Sequence, residues 1–208
     1  MDKRAGSAEG IGEEVRRYLG MGYRPVGIKF SQQPIEGDRP SKPIAFCRTV
    51  KDAALGKDLV VTPEDEDCPD AEVVLGFRQS RYVNVEPSIK DKIAAISVGP
   101  LQDADVVLLI VNAEQAMVLS FLLDGIHASF KGNISVCGEA AAKVYLDKEP
   151  NVSFLCQGAR VYGEYDPSEL MVALPYEVFL ELPSKMNKFH ALGQKAKAGL
   201  ARLLLKLT

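Results

Sequence analysis

Apolar and polar positions follow two different periods along this chain, and each period predicts a type of element. Apolar residues recur at helical spacing between Ser7, a residue type that caps helix N-termini, and Gly20, a plausible helix stop. Side chains alternate over 24–30, which predicts a strand, and the unbroken apolar run 105–111 predicts a strand buried on both faces. The pattern further predicts helices over 46–55, 113–130, 137–146, 176–182 and 184–207, and strands over 59–61, 151–156 and 170–174.

The order of these elements indicates the fold class. Strands and helices alternate without one fixed period, so we expect a mixed sheet with helices packed on it, in an α+β or α/β fold. No linker rich in Pro, Gly or Ser divides the chain, and residues 1–184 are therefore predicted to form a single globular domain. Residues 185–208 are basic and amphipathic, and we expect them to form a helix that packs on this domain or on a partner protomer.

Composition and charge exclude several classes of protein. The chain has 208 residues, of which 47% are hydrophobic and 25% charged, values that are typical of globular proteins and argue against disorder or a coiled coil. A formal net charge of −3 does not favour nucleic acid as a partner. No apolar run reaches the ~20 residues of a membrane span, and the polar N-terminal segment carries no hydrophobic signal, so we expect a cytoplasmic protein.

The cysteines occur in two similar units. Cys47 and Cys68 enclose 20 residues, and Cys137 and Cys156 enclose 18. Each unit runs from a cysteine through an Ala-containing helix and a valine-containing strand to the second cysteine, which favours an internal duplication with pseudo-twofold symmetry. The units lack the C-x-x-C pairs that present two thiolates to one metal. The four thiols can therefore hold a soft metal only if the fold brings them together.

Two interpretations of the cysteines are open from the residues alone. Free cysteine is often a small buried core residue. Alternatively, Cys47 and Cys137 lie near predicted helix starts, where thiolate is favoured, and could ligate a metal. The surroundings of Cys68 are acidic, which disfavours thiolate unless a cation is present. We interpret these surroundings as a solvated acidic loop that contains Glu64, Asp65, Glu66, Asp67 and Asp70.

Seven segments of the chain resemble the family catalogued as domain of unknown function 169, over about residues 10–184. They are PVGIKF at 25–30, FCRTVKDAALGK at 46–57, CPDAEVVLGF at 68–77, ADVVLLIVNAEQAM at 104–117, VCGEAA at 136–141, NVSFLCQGAR at 151–160 and ELMVALPYEVF at 169–179. All four cysteines match positions where the family carries cysteine, as do Gly76, Gln115, Met117, Gly158 and Arg160. The resemblance implies an archaeal or anaerobic source, which favours an iron–sulfur cluster over zinc, and it implies no assigned activity.

A second candidate site follows the buried strand. Asn112 to Gln115 come after this strand and open a helix, where free N–H groups attract anions, and Arg160 could clamp an anion nearby. The sequence contains no P-loop, dinucleotide fingerprint or nucleophilic serine motif. The alternative function is therefore a non-catalytic module that binds a small molecule or anion at Asn112, Gln115 and Arg160, with the cysteines as core residues.

The leading prediction is a redox protein that binds an iron–sulfur cluster or another thiophilic metal. Its ligands would be Cys47, Cys68, Cys137 and Cys156, and a redox partner would exchange electrons with it. The C-terminal helix carries six basic residues, and no acidic residue follows Glu181, so residues 1–184 carry the chain's excess of acidic residues. We also expect this helix to dock on residues 1–184 or to form a homodimer.

Overall fold

A computed structural model describes residues 7–78, 89–123 and 137–204, with side chains through residue 190. The helices are α1 (Ala8–Leu19), α2 (Phe46–Ala54), α3 (Pro69–Val74), α4 (Ala113–Leu122), α5 (Cys137–Asp147), α6 (Gln157–Tyr162) and α7 (Tyr176–Leu204). The strands are β1 (Val26–Ser31), β2 (Leu59–Val61), β3 (Ala95–Gly99), β4 (Val106–Val111), β5 (Asn151–Ser153) and β6 (Leu170–Pro175). Among these helices, none is both long and apolar enough to cross a membrane.

The described strands form one sheet in the order β2-β3-β1-β4-β6-β5. Every neighbouring pair is antiparallel, including the central pair, in which Gly27 lies opposite Val107. The α+β class is confirmed. The expectation that the sheet is mixed in strand direction needs correction, because alternation of elements along a chain does not determine the direction in which each strand returns.

Helices cover both faces of the sheet. On one face, Val106, Leu108 and Ile110 of β4 share a core with residues of α2, α3, α5 and α6. The intervening residues of β4 point to the other face and share a second core with α1, α4 and α7. All six residues of β4 are buried, as its unbroken apolar run predicted.

The two halves of the chain have the same topology. β1, α2, β2, α3 and β3 follow one another in the first half, and β4, α5, β5, α6 and β6 do so in the second, with α4 added before α5. β1 and β4 pair at the centre of the sheet, β3 and β6 flank them, and the three-residue strands β2 and β5 form the edges. This arrangement is what a pseudo-twofold duplication would produce, and the duplication itself stays a prediction.

Several elements differ from those that the sequence pattern predicted. β3 and the short helices α3 and α6 were not expected. α7 is one continuous helix through Pro183, because its apolar residues Phe179, Leu182 and Met186 pack along the same core on both sides of the proline. In the described part of the predicted helix 113–130, only two residues are buried and Phe121 is 62% exposed, so the expectation of a largely buried helix is wrong there.

Candidate functional site

The four cysteines lie at equivalent positions in the two halves of the fold. Cys47 is in the first turn of α2, and Cys137 is the first residue of α5. Cys68 and Cys156 are the residues immediately before α3 and α6. All four belong to or pack against the same core, on one face of the sheet. The fold thus brings together residues that are up to 109 positions apart in the printed sequence.

Two of the thiols are in direct contact across the halves. The buried Cys137 side chain forms a hydrogen bond with the Cys47 side chain. This bond lowers the pKa of Cys47, helped by the backbone N–H groups of Arg48 and of Cys47 itself. The same bond, together with burial, raises the pKa of Cys137 well above its usual range. The thiolate form is therefore favoured at Cys47 over Cys137, and Cys137 acts as the proton donor of the pair.

Three of the cysteines share one cavity of about 950 Å³. Cys47, Cys68 and Cys156 all line it, and Cys47 is in turn hydrogen-bonded to Cys137. Burial raises the pKa of Cys68 to about 11, and the nearby carboxylate of Glu66 adds to that effect. The cavity therefore gives a small molecule or an ion access to several sulfur atoms from one side.

Glu66 lies among these cysteines and was missed as a site residue. Its Oε1 accepts hydrogen bonds from the backbone N–H groups of Phe46 and Cys68, both at 2.9 Å. Ala45, at the N-cap of α2, has no side chain that could cap the helix, so Glu66 takes this role from a distance in sequence. Burial raises the pKa of Glu66 to about 8.

The second oxygen of Glu66 is the unusual feature of this residue. Oε2 is buried and has no hydrogen-bond partner among the described residues. A buried polar atom without a partner is costly and calls for an explanation, such as an ion or water at that point. The expectation of a solvated acidic loop is wrong for Asp65 and Glu66, which are 6% and 5% exposed, whereas Glu64 and Asp67 are exposed. No pattern in the sequence separates Glu66 from its acidic neighbours.

The side chains as they stand do not form a metal centre. Within the described ranges, no group of three or more His, Cys, Asp or Glu residues is arranged to hold a metal ion. Cys47 and Cys137 are paired, whereas Cys68 and Cys156 stand on the cavity wall. The assignment of the four cysteines as ligands therefore stays a prediction.

A network of buried polar side chains contacts α2 and holds it in place. The Tyr165 hydroxyl donates to the backbone carbonyl of Cys47 at 2.9 Å. Lys51 of α2 forms a buried ion pair with Glu169 at 2.9 Å, and its ammonium lies 4.1 Å from the ring centroid of Tyr23 and 4.5 Å from that of Tyr165. Because hydrogen bonds and ion pairs of buried groups restrict movement, this network keeps the Cys47 end of α2 in place.

The residues of the second candidate site contact the chain's own backbone. Asn112 and Gln115 form a reciprocal capping box at the start of α4, with both hydrogen bonds at 2.9 Å, and the Gln115 amide also donates to the carbonyl of Gly20. The Arg160 guanidinium donates to the backbone carbonyls of Phe154, Asp166 and Glu169. These contacts give the three residues structural roles, and an anion site at this place stays a prediction.

Comparison with known proteins confirms the resemblance noted above. The chain belongs to the family of domain of unknown function 169, described as "Uncharacterised ArCR", whose model matches residues 14–92 and 80–184. It is similar to the uncharacterized protein MJ0308 of Methanocaldococcus jannaschii, with 29% identity over 118 residues, or 52% of this chain and 51% of that relative. The chain thus spans about half the length of this curated relative. No solved structure matches the chain.

Proposed function

We propose that Cys47, Cys68, Cys137 and Cys156 hold a thiophilic metal ion or an iron–sulfur cluster, and that the protein takes part in electron transfer or redox-linked chemistry. The observation that carries this proposal is the convergence of the four thiols. They come from two separate units of the sequence, yet Cys47 touches Cys137 and the other two share a cavity with Cys47. Packing of a core does not require four equivalent cysteines at one place.

The donor set fits a soft metal. Thiolates select iron–sulfur clusters, zinc and copper(I) over hard cations. A bound cation would favour the ionised forms of Cys68, Cys137 and Glu66, which burial disfavours in the metal-free site. It would also give the orphaned Oε2 of Glu66 a partner. Since the thiols are not at ligand spacing, binding would require Cys68 and Cys156 to turn toward Cys47 and Cys137.

The chain's own groups would set the properties of the centre. Cys47 is poised to ligate first, because its pKa is already lowered, and the Tyr165 hydrogen bond fixes its backbone. Cys137 must lose its proton, so metal uptake should release protons and strengthen with pH. A bound cluster would supply one-electron transfer, and the open cavity beside it gives a partner access.

The test begins with protein purified without oxygen. Its ultraviolet–visible spectrum is recorded together with its iron, zinc and sulfide content, and chelator-treated protein is then titrated with cobalt(II), whose sulfur-to-metal absorption reports thiolate ligands. We expect metal binding in the wild type and a large loss of it in the Cys68→Ser and Cys156→Ser variants. The matched control is Met117→Leu, which removes a half-exposed sulfur on the opposite face of the sheet.

The result against the proposal is equally definite. One such result is a folded protein that is purified without metal and whose cysteine variants bind cobalt(II) as the wild type does. It would mean that the cysteines are core residues and not metal ligands. We also propose that this is a cytoplasmic protein of an anaerobe, that it exchanges electrons with a redox partner, and that it forms a homodimer through the C-terminal helix. Sedimentation of the full chain and of a chain truncated after His190, which keeps the core residues Leu182 and Met186, would test the homodimer.

A further inference from the structure

Two cysteines from the two halves of the fold are in contact, and they differ in access. Cys47 and Cys137 are 90 positions apart in the printed sequence, yet a hydrogen bond joins their side chains. Both belong to the same buried core, and each lies in the first turn of its helix, α2 or α5. Of these two residues, only Cys47 also lines the cavity of about 950 Å³. A molecule in the cavity therefore reaches the sulfur of Cys47 first.

The backbone on both sides of this sulfur contact is held by buried groups. In α2, the N–H of Phe46 donates to a buried carboxylate and the carbonyl of Cys47 accepts from the Tyr165 hydroxyl, both at 2.9 Å. In α5, a methyl group on Gly138 would lie 3.3 Å from Val74, so the first turn of this helix packs closely on α3. Because both helix starts are fixed, the two thiols stay together in the folded chain.

The cavity is suited to a small organic molecule. Its volume lies within the range of small-molecule sites, and part of its lining is apolar, with Pro43, Ile44 and the ring of Tyr162. Charged side chains in the lining are paired inside the chain, as Arg48 is with Asp52 and with Glu164, at 3.0 Å in each case. The lining therefore does not select its ligand by net charge, and the reactive groups that it presents are thiols.

We propose that the cavity admits a small organic disulfide and that Cys47 and Cys137 reduce it, closing a reversible disulfide between themselves. The thiolate of Cys47 attacks one sulfur of the ligand, whose S–S bond breaks, so that one organic thiol leaves and a mixed disulfide on Cys47 remains. The sulfur of Cys137 then attacks that of Cys47, and the second organic thiol leaves. The ligand gains two electrons and two protons, and the two cysteine thiols supply both.

The exchange is independent of the proposed metal binding. It takes place on the reduced, metal-free chain, in which the thiols are free, and it uses one cysteine from each unit. In compartments that keep thiols reduced, disulfides are mostly transient and serve catalysis or redox sensing, and a reversible pair fits that use. An excess of organic thiol runs the same steps backward and restores both cysteines.

A redox titration of the full chain, reduced and treated with chelator, tests the proposal. Without oxygen, the chain is equilibrated with mixtures of 2-hydroxyethyl disulfide and 2-mercaptoethanol, quenched with acid and mapped by mass spectrometry. We expect one cross-linked peptide pair, which joins Cys47 to Cys137. Half-oxidation should occur at a ratio of disulfide to thiol at least about tenfold lower in the folded chain than in concentrated urea, because the fold holds the two sulfurs in contact.

Two variants test the order of attack and serve as controls for each other. Cys137→Ser keeps the sulfur that faces the cavity, so the reaction should stop at a mixed disulfide on Cys47. Cys47→Ser keeps only the sulfur outside the lining, so Cys137 should stay unmodified over the same time. Circular dichroism checks that each variant is folded, and the peptide map of the wild type needs no variant.

Three results would overturn the proposal: no cross-link between Cys47 and Cys137 in the wild type, half-oxidation at the same ratio in the folded chain and in urea, or equal modification of Cys137 in folded Cys47→Ser. Oxidation of the pair by a disulfide-bonded protein but not by 2-hydroxyethyl disulfide would overturn the assignment to small molecules. A chain that forms the disulfide and binds no cobalt(II) would refute the metal proposal alone, and the reverse result would refute this one alone.

Discussion

The substitution Glu66→Gln tests the role of the buried carboxyl group beside the cysteines. The substitution keeps an oxygen where Oε1 accepts hydrogen bonds from Phe46 and Cys68, and it replaces the partnerless Oε2 by an amide nitrogen. It therefore preserves the cap on α2 while it removes the titration. A comparison of the two proteins over a range of pH should separate two contributions of Glu66 to stability, that of its ionisation and that of its hydrogen bonds to α2.

The magnitude follows from the pKa of Glu66. Folding raises this pKa from 4.5 to about 8, so between these values the folded chain holds a proton that the unfolded chain has released. The contribution of Glu66 to stability is therefore full below pH 4.5 and is lost as the pH rises toward the folded pKa. The free energy of unfolding should fall by about 1.4 kcal/mol per pH unit, or about 3 kcal/mol between pH 5 and 7.5.

Thermal unfolding of metal-free, reduced protein, followed by circular dichroism, gives the comparison. In a chain of this size a loss of about 3 kcal/mol corresponds to roughly 6–12 °C in Tm. We expect the wild type and Glu66→Gln to be similar at pH 5 and the variant to be the more stable at pH 7.5. Other titrating groups affect both proteins equally, so the difference between their Tm values reports Glu66 alone. Glu64→Gln changes an exposed neighbour and is the control, and it should behave as the wild type.

Parallel curves for the two proteins would refute a raised pKa of Glu66 in the folded chain. If the wild type and Glu66→Gln change in Tm by the same amount between pH 5 and 7.5, the carboxyl group is already ionised in the folded chain. In that case an unrecognised donor or a water would have to satisfy Oε2, and Glu66 would lose its place in the argument for a cation at this site.

Two further substitutions test the frame around the site. Tyr165→Phe removes the hydroxyl that donates to the Cys47 carbonyl, so urea unfolding should show a loss of about 1–2 kcal/mol, whereas the exposed Tyr162→Phe should show none. Gly27→Ala would place a methyl group against the backbone where β1 enters the sheet, and circular dichroism should show loss of the fold. Gly22→Ala meets no atom within 4 Å and should remain folded.

Local patterns in the sequence correctly predicted the elements that carry most of the core. The apolar run of β4 predicted its burial on both faces, and Ser7 and Gly20 marked the ends of α1. These features depend on neighbours within a few residues, which is the range over which periodicity and caps act. Where the deciding contact was distant, prediction failed: α7 continues through Pro183 because both flanks pack on the same core.

The sequence by itself determined that the chain has four cysteines in two matched units, that it belongs to the α+β or α/β class, and that its segments resemble one family. Only the tertiary structure decided what surrounds those cysteines. Strand pairing across the centre of the sheet brings Cys47 into contact with Cys137 and buries Glu66 beside them. It also places basic residues from separate segments in the lining of one cavity. Such contacts join residues far apart in the chain, and no local pattern encodes which distant groups will meet or how deeply they will be buried.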